Sequence, residues 1–327
     1  MELLTGHSLR EGTPHVVGVR TEDGDELHAD LVIDSMGRGS RTPSWLHAIG
    51  TKPPQEEQAD CGFTYYTHYF SGTEPQRMAP VVMPLGTISV LTLPGDNGTW
   101  SVTVFTSSRD TALKSLRKTA KWTSTIRACP LHAHWLDGEP ITDVLPMSGI
   151  VDRYRRFVVD GMPVVTGMVS VADAWACTNP SAGRGLTVGF KHIMQLRDAM
   201  RKTLDDPFEL ALQFFEVTES EIAPWYHAQI AADRNRFAEI EALCKGREPP
   251  EVDEFSRRAA ALFTTMTTDP DLFRAALEYI GTLTPLQEIL ARPEVEQRLA
   301  TAMETLSPAQ LSEIPGPNRD QLFEIAK

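Results

Sequence analysis

The sequence predicts a mixed α/β (α+β) fold, in which an incomplete three-layer Rossmann-like domain holds an inserted antiparallel sheet and is followed by a helical C-terminal region. Three observations predict it. Two dense apolar runs, at 31–34 and 163–169, each lead into a loop that contains glycine, as buried parallel strands do. Much of the stretch between them alternates apolar and polar residues. After residue 205, prolines mark successive helix starts.

Composition and charge exclude several classes of protein. The 327 residues are 41% hydrophobic and 23% charged, which is enough for the core of one large or two smaller domains. The net charge of -13 opposes binding to nucleic acid or anionic lipid, because both partners carry the same sign. No apolar run approaches the length of a membrane span, and the four cysteines form no C-x-x-C pair. We therefore expect a soluble, cytoplasmic protein with no nucleic-acid partner, no membrane span and no metal site.

The first strands surround a tight turn and lead to a glycine loop. Val16–Arg20 and 26–32 are strand-like, and Asp23-Gly24 between them is typical of a hairpin turn. The second strand runs on to Asp34 and stops at 37–40, Gly-Arg-Gly-Ser. Its consecutive apolar residues predict a buried parallel strand that needs neighbours in a sheet.

The middle and the end of the chain follow different periodicities. A hairpin is predicted around Asp160-Gly161, and the helix after Gly183 is expected to run to about Thr203. Between 62 and 146 we predict strands at 63–70, 87–93, 100–106 and 141–145, with a covering helix at 111–127. Helix starts with proline at the first position are predicted at Asp206-Pro207, Asp269-Pro270, Thr284-Pro285 and Ser307-Pro308.

A carboxylate and a glycine-rich helix start follow the second apolar run. Asp173 can accept hydrogen bonds from two hydroxyls, and Gly183 and Gly185 let the main chain approach a flat ring without a Cβ in the way. The helix that they open directs its positive end at any negative charge on that ring. Arg184 either adds a formal charge there or pairs with an acid elsewhere. Taken alone, Asp173 is more readily interpreted as an ordinary helix cap. Its spacing from the glycines favours a ligand site.

Two segments resemble the FAD-dependent monooxygenases and oxidoreductases with the p-hydroxybenzoate hydroxylase architecture, especially the halogenase and geranylgeranyl reductase branch. The family's G-D-A and N-P-x-x-G-R-G match 172–174 and 179–185, and its A-D-L-V-V-D-A-T-G-R-x-S is similar to 29–40. The departure is Ala172, where glycine is usual; a positive φ there strains alanine by about 1 kcal/mol. The resemblance implies FAD as cofactor, with Gly37 and Arg38 near its pyrophosphate and adenosine. It implies that the flavin is contacted by Asp173, Pro180, Ser181, Ala182, Gly183, Arg184, Gly185 and Leu186.

The resemblance also divides the chain. It implies a partial FAD-binding domain at 1–60, an antiparallel substrate-side sheet at 61–150, the return of the FAD-binding domain at 151–205 and the helical region at 206–327. The family's β-α-β unit with G-x-G-x-x-G is not found in the 327 residues. We therefore expect an N-terminally truncated form of a longer enzyme, with one face of the 31–34 strand and one sheet edge exposed.

The function that this resemblance implies is an FAD-dependent oxidoreductase, a monooxygenase that acts on a small organic molecule through reduced flavin and oxygen. NAD(P)H or a flavin reductase partner would supply the electrons, and a homodimer is an open arrangement. The halogenase variant is disfavoured because W-x-W-x-I-P is absent from the sequence. A flavin-dependent reductase and a cofactor-free remnant or helical interaction protein remain as alternatives. No general base is identified, and the basic run Arg153, Arg155 and Arg156 is interpreted as a solvated face, with nicotinamide phosphate recognition as the alternative.

Overall fold

The computed structural model describes residues 1–8, 10, 12–305 and 316–327. The described chain divides into two compact units: the first contains 1–60 and 151–231, and the second contains 61–150 and 232–327. The chain therefore leaves the first unit after Asp60 and returns to it at Val151.

The secondary structure is mixed throughout. The described strands are β1 (Glu2–Thr5), β2 (Val16–Arg20), β3 (Glu26–His28), β4 (Val32–Asp34), β5 (Gln55–Asp60), β6 (Phe63–Ser71), β7 (Val82–Leu85), β8 (Ile88–Pro94), β9 (Thr99–Ser107), β10 (Glu139–Pro140), β11 (Leu145–Met147), β12 (Val151–Arg156), β13 (Val158–Val159), β14 (Met162–Pro163), β15 (Met168–Ser170) and β16 (Ala176–Cys177). The described helices are α1 (Thr42–Ala48), α2 (Thr119–Arg127), α3 (Gly185–Thr203), α4 (Pro207–Val217), α5 (Ala223–Cys244), α6 (Glu254–Thr265), α7 (Pro270–Ile280), α8 (Leu286–Leu290), α9 (Pro293–Thr305) and α10 (Arg319–Ala326). A π-helical turn, Thr218–Ile222, lies between α4 and α5. None of the described helices is both long enough and apolar enough to cross a bilayer.

The first unit contains a short parallel sheet. β4 pairs with β15 in parallel, with Ile33 opposite Val169. This confirms the parallel strand predicted at 31–34. Among the described strands β15 is the only partner of β4, and Ile33 is 47% exposed, in agreement with the exposed strand face expected from the sequence.

The buried carboxylate of Asp34 organises the loop that follows β4. It accepts hydrogen bonds from the Met36 amide at 3.0 Å and from the hydroxyls of Ser40 at 2.5 Å and Ser170 at 3.3 Å, and also from the Thr42 hydroxyl. Because donors from both sides of the loop converge on one buried acceptor, the short 3₁₀ turn Gly37–Gly39 is held at the end of the strand.

The predicted hairpins are confirmed. β2 and β3 pair antiparallel around the Asp23-Gly24 turn. β13 and β14 pair around Asp160 and Gly161, whose φ angles of 52° and 74° are those of the mirror-image turns that match the twist of paired strands.

An antiparallel sheet forms the core of the second unit, as the alternation predicted. Its order is β10-β6-β9-β8-β7, and β11 also pairs with β6. The predicted strand at 141–145 is wrong in its bounds, since β10 ends at Pro140 and β11 begins at Leu145. Ile141 follows β10, and its amide donates a hydrogen bond to the Tyr69 carbonyl oxygen. The rest of the chain between the two strands is irregular.

The predicted helix at 111–127 is broken into two pieces. A 3₁₀ helix spans Ala112–Arg117, Lys118 is extended, and α2 begins afterwards. In one continuous helix, the buried pair at 122 and 126 would lie about 130° around the axis from the buried pair at 113 and 116. The break lets both pairs join one core cluster.

Helices α6 to α9 pack around a separate apolar cluster in the second unit. Asp206 and Asp269 cap α4 and α7 through their side chains, as predicted. The start at Thr284-Pro285 differs, because Pro285 occupies the cap position and the Thr284 hydroxyl donates instead to Glu278 at 2.9 Å. The start predicted at Ser307-Pro308 lies outside the described residues.

Candidate functional site

The first unit contains a cavity of about 300 Å³ beside the start of α3. This volume is at the lower end of the range for small-molecule sites. Three segments line it: Arg38 from the loop after β4, residues between Ala172 and Gly189, and the first two turns of α5. The cavity therefore lies where the two segments singled out in the sequence meet.

Most of the predicted site residues lie on this cavity. Ser181 does not line the cavity, but its hydroxyl accepts a hydrogen bond at 3.1 Å from Gln229, which does. Gly37 supports the wall, since a Cβ on Gly37 would lie 4.0 Å from that of Asp173. Leu186 is 73% exposed and lies off the lining. The predicted residues that line the cavity are Arg38, Asp173, Pro180, Ala182, Gly183, Arg184 and Gly185.

Asp173 follows a residue in the left-handed region. Ala172 has φ 52°, so the position does have the positive φ that favours glycine. The Asp173 carboxylate lies near the start of α3, where a Cβ on Gly185 would be 3.8 Å from its Oδ1. Gly37 and Gly185 therefore both lie next to Asp173 at the cavity wall.

The start of α3 lacks a side-chain cap. The cap position is occupied by Arg184, which makes no capping side-chain hydrogen bond, and not by Asp173. The alternative interpretation of Asp173 as a helix cap is therefore wrong. Gly183 has φ 65°, and a Cβ placed on it would meet no atom within 4 Å. The amide end of the helix opens onto space that a ligand can occupy.

Positive charge and aromatic rings share the cavity. Arg38 and Arg184 both line it, against the single carboxylate of Asp173. The Arg184 guanidinium lies 5.7 Å from the centroid of the Trp225 ring, and the Lys191 ammonium lies 5.1 Å from the same centroid. Such an arrangement suits a flat ligand that carries negative charge.

Arg155 ties the two wall segments together. Its guanidinium donates to Ser40 at 3.1 Å, to the Ala174 carbonyl at 2.9 Å and to Glu56 at 2.6 Å. The side chain is 3% exposed, so the prediction of a solvated basic face is wrong for Arg155. The reason is that β12 pairs with β5, which brings Glu56 directly opposite it.

His192 supports the Ala172 turn from α3. Its Nδ1 accepts from the Ala172 amide at 3.2 Å, and its Nε2 lies 3.0 Å from the Thr218 hydroxyl. Its ring lies 4.7 Å from that of Trp175 and 4.8 Å from that of Phe214, between centroids. This burial lowers the pKa of His192 to about 3.

Sequence reasoning missed His192 and the contribution of α5. Trp225, Tyr226 and Gln229 line the cavity from the start of that helix. The i, i+4, i+7 spacing of Gly185, Gly189 and His192 was a usable signal, because it places all three on one helix face.

Comparison with known proteins identifies the fold. No protein-family model matches the chain. HpxO of Klebsiella pneumoniae, solved with FAD and uric acid, has a TM-score of 0.52 and 13% identity over 75% of this chain and 60% of its own. The flavin-dependent halogenase CmlS has the same TM-score and 16% identity over 81% of this chain and 52% of its own. The fold is Rossmann-like and is shared with FAD-dependent flavoenzymes.

One curated relative is similar in sequence. Protein Rv3254 of Mycobacterium tuberculosis (strain ATCC 25618 / H37Rv) is 30% identical over 190 residues, which is 54% of this chain and 38% of that protein. The chain thus spans less than half the length of this relative, and less than two thirds of the two structural neighbours.

Proposed function

We propose that the cavity beside α3 binds the isoalloxazine end of FAD, and that the chain is part of an FAD-dependent oxidoreductase. The observation that carries the proposal is the convergence of Asp173, an uncapped helix start and Arg38 on one cavity. The shared fold with flavoenzymes supports it.

The residues present fit a flavin ring. Gly183 and Gly185 leave space that a side chain would fill, and Trp175 and Tyr226 contribute aromatic side chains to the lining. Asp173 would accept hydrogen bonds from the ribityl hydroxyls. The cavity is too small for the whole dinucleotide, so its described walls account for the ring side alone.

Each wall has a chemical role in this proposal. A bound flavin supplies the redox chemistry, namely acceptance of electrons and their delivery to oxygen. The amides at the start of α3 and the Arg184 guanidinium would stabilise negative charge on the ring. Trp175 and Tyr226 would exclude water from the site.

We extend the proposal to monooxygenation of a small organic molecule, as the family resemblance implies. The test is oxygen consumption by the flavin-loaded chain with NADH or NADPH, with and without a separate flavin reductase. Electron transfer without oxygen incorporation into any substrate would instead support the reductase alternative.

Flavin binding is tested by titration of the purified chain with FAD and with riboflavin. Trp175 and Trp225 line the cavity, so both ligands should quench tryptophan fluorescence, and calorimetry should give matching affinities. ADP should not compete with riboflavin, since the proposal concerns the ring side.

The matched variants are Asp173→Asn and Asp160→Asn. Loss of a charged acceptor at Asp173 should weaken flavin binding by about tenfold or more. Asp160 lies in an exposed hairpin turn where asparagine is equally suited, so its variant should bind as the wild type does. A chain that binds neither flavin would overturn the proposal and favour a cofactor-free scaffold.

A further inference from the structure

We propose that His192 is a positioning residue, whose neutral imidazole holds the Ala172 turn in its left-handed conformation and thereby directs Asp173 toward the cavity. The consequence for a ligand rests on the proposed flavin function. The hydrogen-bond arrangement itself does not.

The hydrogen-bond partners of His192 fix the tautomer of its imidazole. A backbone amide only donates, so Nδ1, 3.2 Å from the Ala172 nitrogen, must be the unprotonated acceptor. Nε2 then carries the proton and donates to the Thr218 hydroxyl at 3.0 Å. One histidine therefore bridges the turn before Asp173 and the π-helical turn that begins at Thr218.

The backbone of Ala172 is strained. Its φ of 52° is unfavourable for a residue with a Cβ, so the turn needs contacts that keep it there. The face of α3 provides them. A Cβ on Gly189 would approach that of Ala172 to 3.0 Å, so glycine at 189 leaves the room that this methyl group needs. His192, three residues further along the same face, supplies the hydrogen bond.

The bridge that His192 forms is buried. His192 is fully buried, and Trp175 and Phe214 enclose its ring. The side chains in contact with it, Trp175, Phe214 and Thr218, carry no formal charge. Burial lowers the pKa of His192 to about 3, so the acceptor nitrogen stays unprotonated at neutral pH.

The bridge that His192 forms acts on the cavity through Asp173. Asp173 is the next residue after the strained one and the only carboxylate among the cavity-lining residues. If the acceptor is removed, the turn relaxes toward negative φ and carries the Asp173 carboxylate away from the start of α3. The acceptor at Nδ1 therefore acts on ligand affinity through Asp173, whereas the donor at Nε2 contacts only the Thr218 hydroxyl at the end of α4.

The test uses two isosteric variants that separate the two nitrogens. In His192→Asn the amide oxygen replaces the Nδ1 acceptor, and in His192→Gln the amide group replaces Nε2 and leaves the Ala172 amide without a partner. We expect His192→Gln to weaken riboflavin and FAD binding by about tenfold, and His192→Asn to remain within about threefold of the wild type. Ala172→Gly in the His192→Gln background should restore most of the affinity, because glycine takes φ 52° without strain.

A merely structural role predicts another pattern, in which affinity follows the melting temperature in both variants and Ala172→Gly gives no rescue. That pattern, or unchanged affinity in His192→Gln, would overturn the proposal. Hydrogen exchange of the Ala172 amide decides the matter without any ligand: it should be protected in the wild type and in His192→Asn, and exposed in His192→Gln. Should the wild type bind no flavin, the proposed function fails, while equal protection of Ala172 in all three proteins would refute the positioning role.

Discussion

Mild acid should destabilise the first unit through His192. The folded unit holds this histidine with a pKa of about 3, because burial penalises the charged form, whereas in the unfolded chain its pKa is about 6.5. The unfolded state therefore binds a proton that the folded state does not. The free energy of unfolding falls as the pH drops below the unfolded-state pKa of about 6.5. Between pH 7 and pH 5 the loss from this one group is about 2 kcal/mol.

The assay is urea unfolding at pH 7, 6 and 5, with hydrogen exchange to assign the transition to the first unit. The His192→Asn variant has no titrating group at this position, so its loss over the same interval should be smaller by about 2 kcal/mol. His28→Asn is the matched control, because the His28 side chain is 70% exposed. The reasoning is refuted if wild type and His192→Asn lose equal stability between pH 7 and pH 5.

One substitution in each unit tests its packing, and a third serves as a control. Gly167→Ala should cost about 3 kcal/mol or more in urea unfolding, because its φ is 71° and the new Cβ would lie 2.0 Å from the Val16 carbonyl oxygen. Gly24→Ala, with φ 95° and open space around it, should cost about 1 kcal/mol. Arg319→Met leaves the buried Asp110 carboxylate without its ion pair and should cost the second unit about 3 kcal/mol. A melting temperature unchanged by either Gly167→Ala or Arg319→Met would contradict the corresponding packing.

Elements with a strong local pattern were predictable from the sequence. The strand predicted at 63–70 is observed at Phe63–Ser71, and the hairpin at Asp160-Gly161 has the expected positive φ angles. Both depend on neighbours within a few residues: alternation along a strand, and two residues that tolerate the left-handed region. The break at Lys118 was missed because each half of that segment satisfies a helical pattern by itself, and only their shared core separates them.

The candidate site was predictable in part. Residues 173–185 were found because their chemistry is concentrated in one short segment. Arg155 was assigned to the surface because its partner Glu56 lies 99 residues earlier in the chain. His192 was missed for a similar reason, since its role depends on the conformation of Ala172, 20 residues away.

The π-helical turn has a consequence for the phase of the helix that follows it. A π turn adds one residue to a helical run, which changes the direction of every later side chain by about 100°. Without the extra residue in Thr218–Ile222, the ring of Trp225 and the amide of Gln229 would point away from the wall they now form. The single inserted residue therefore decides whether α5 presents an aromatic or an unrelated surface to the cavity.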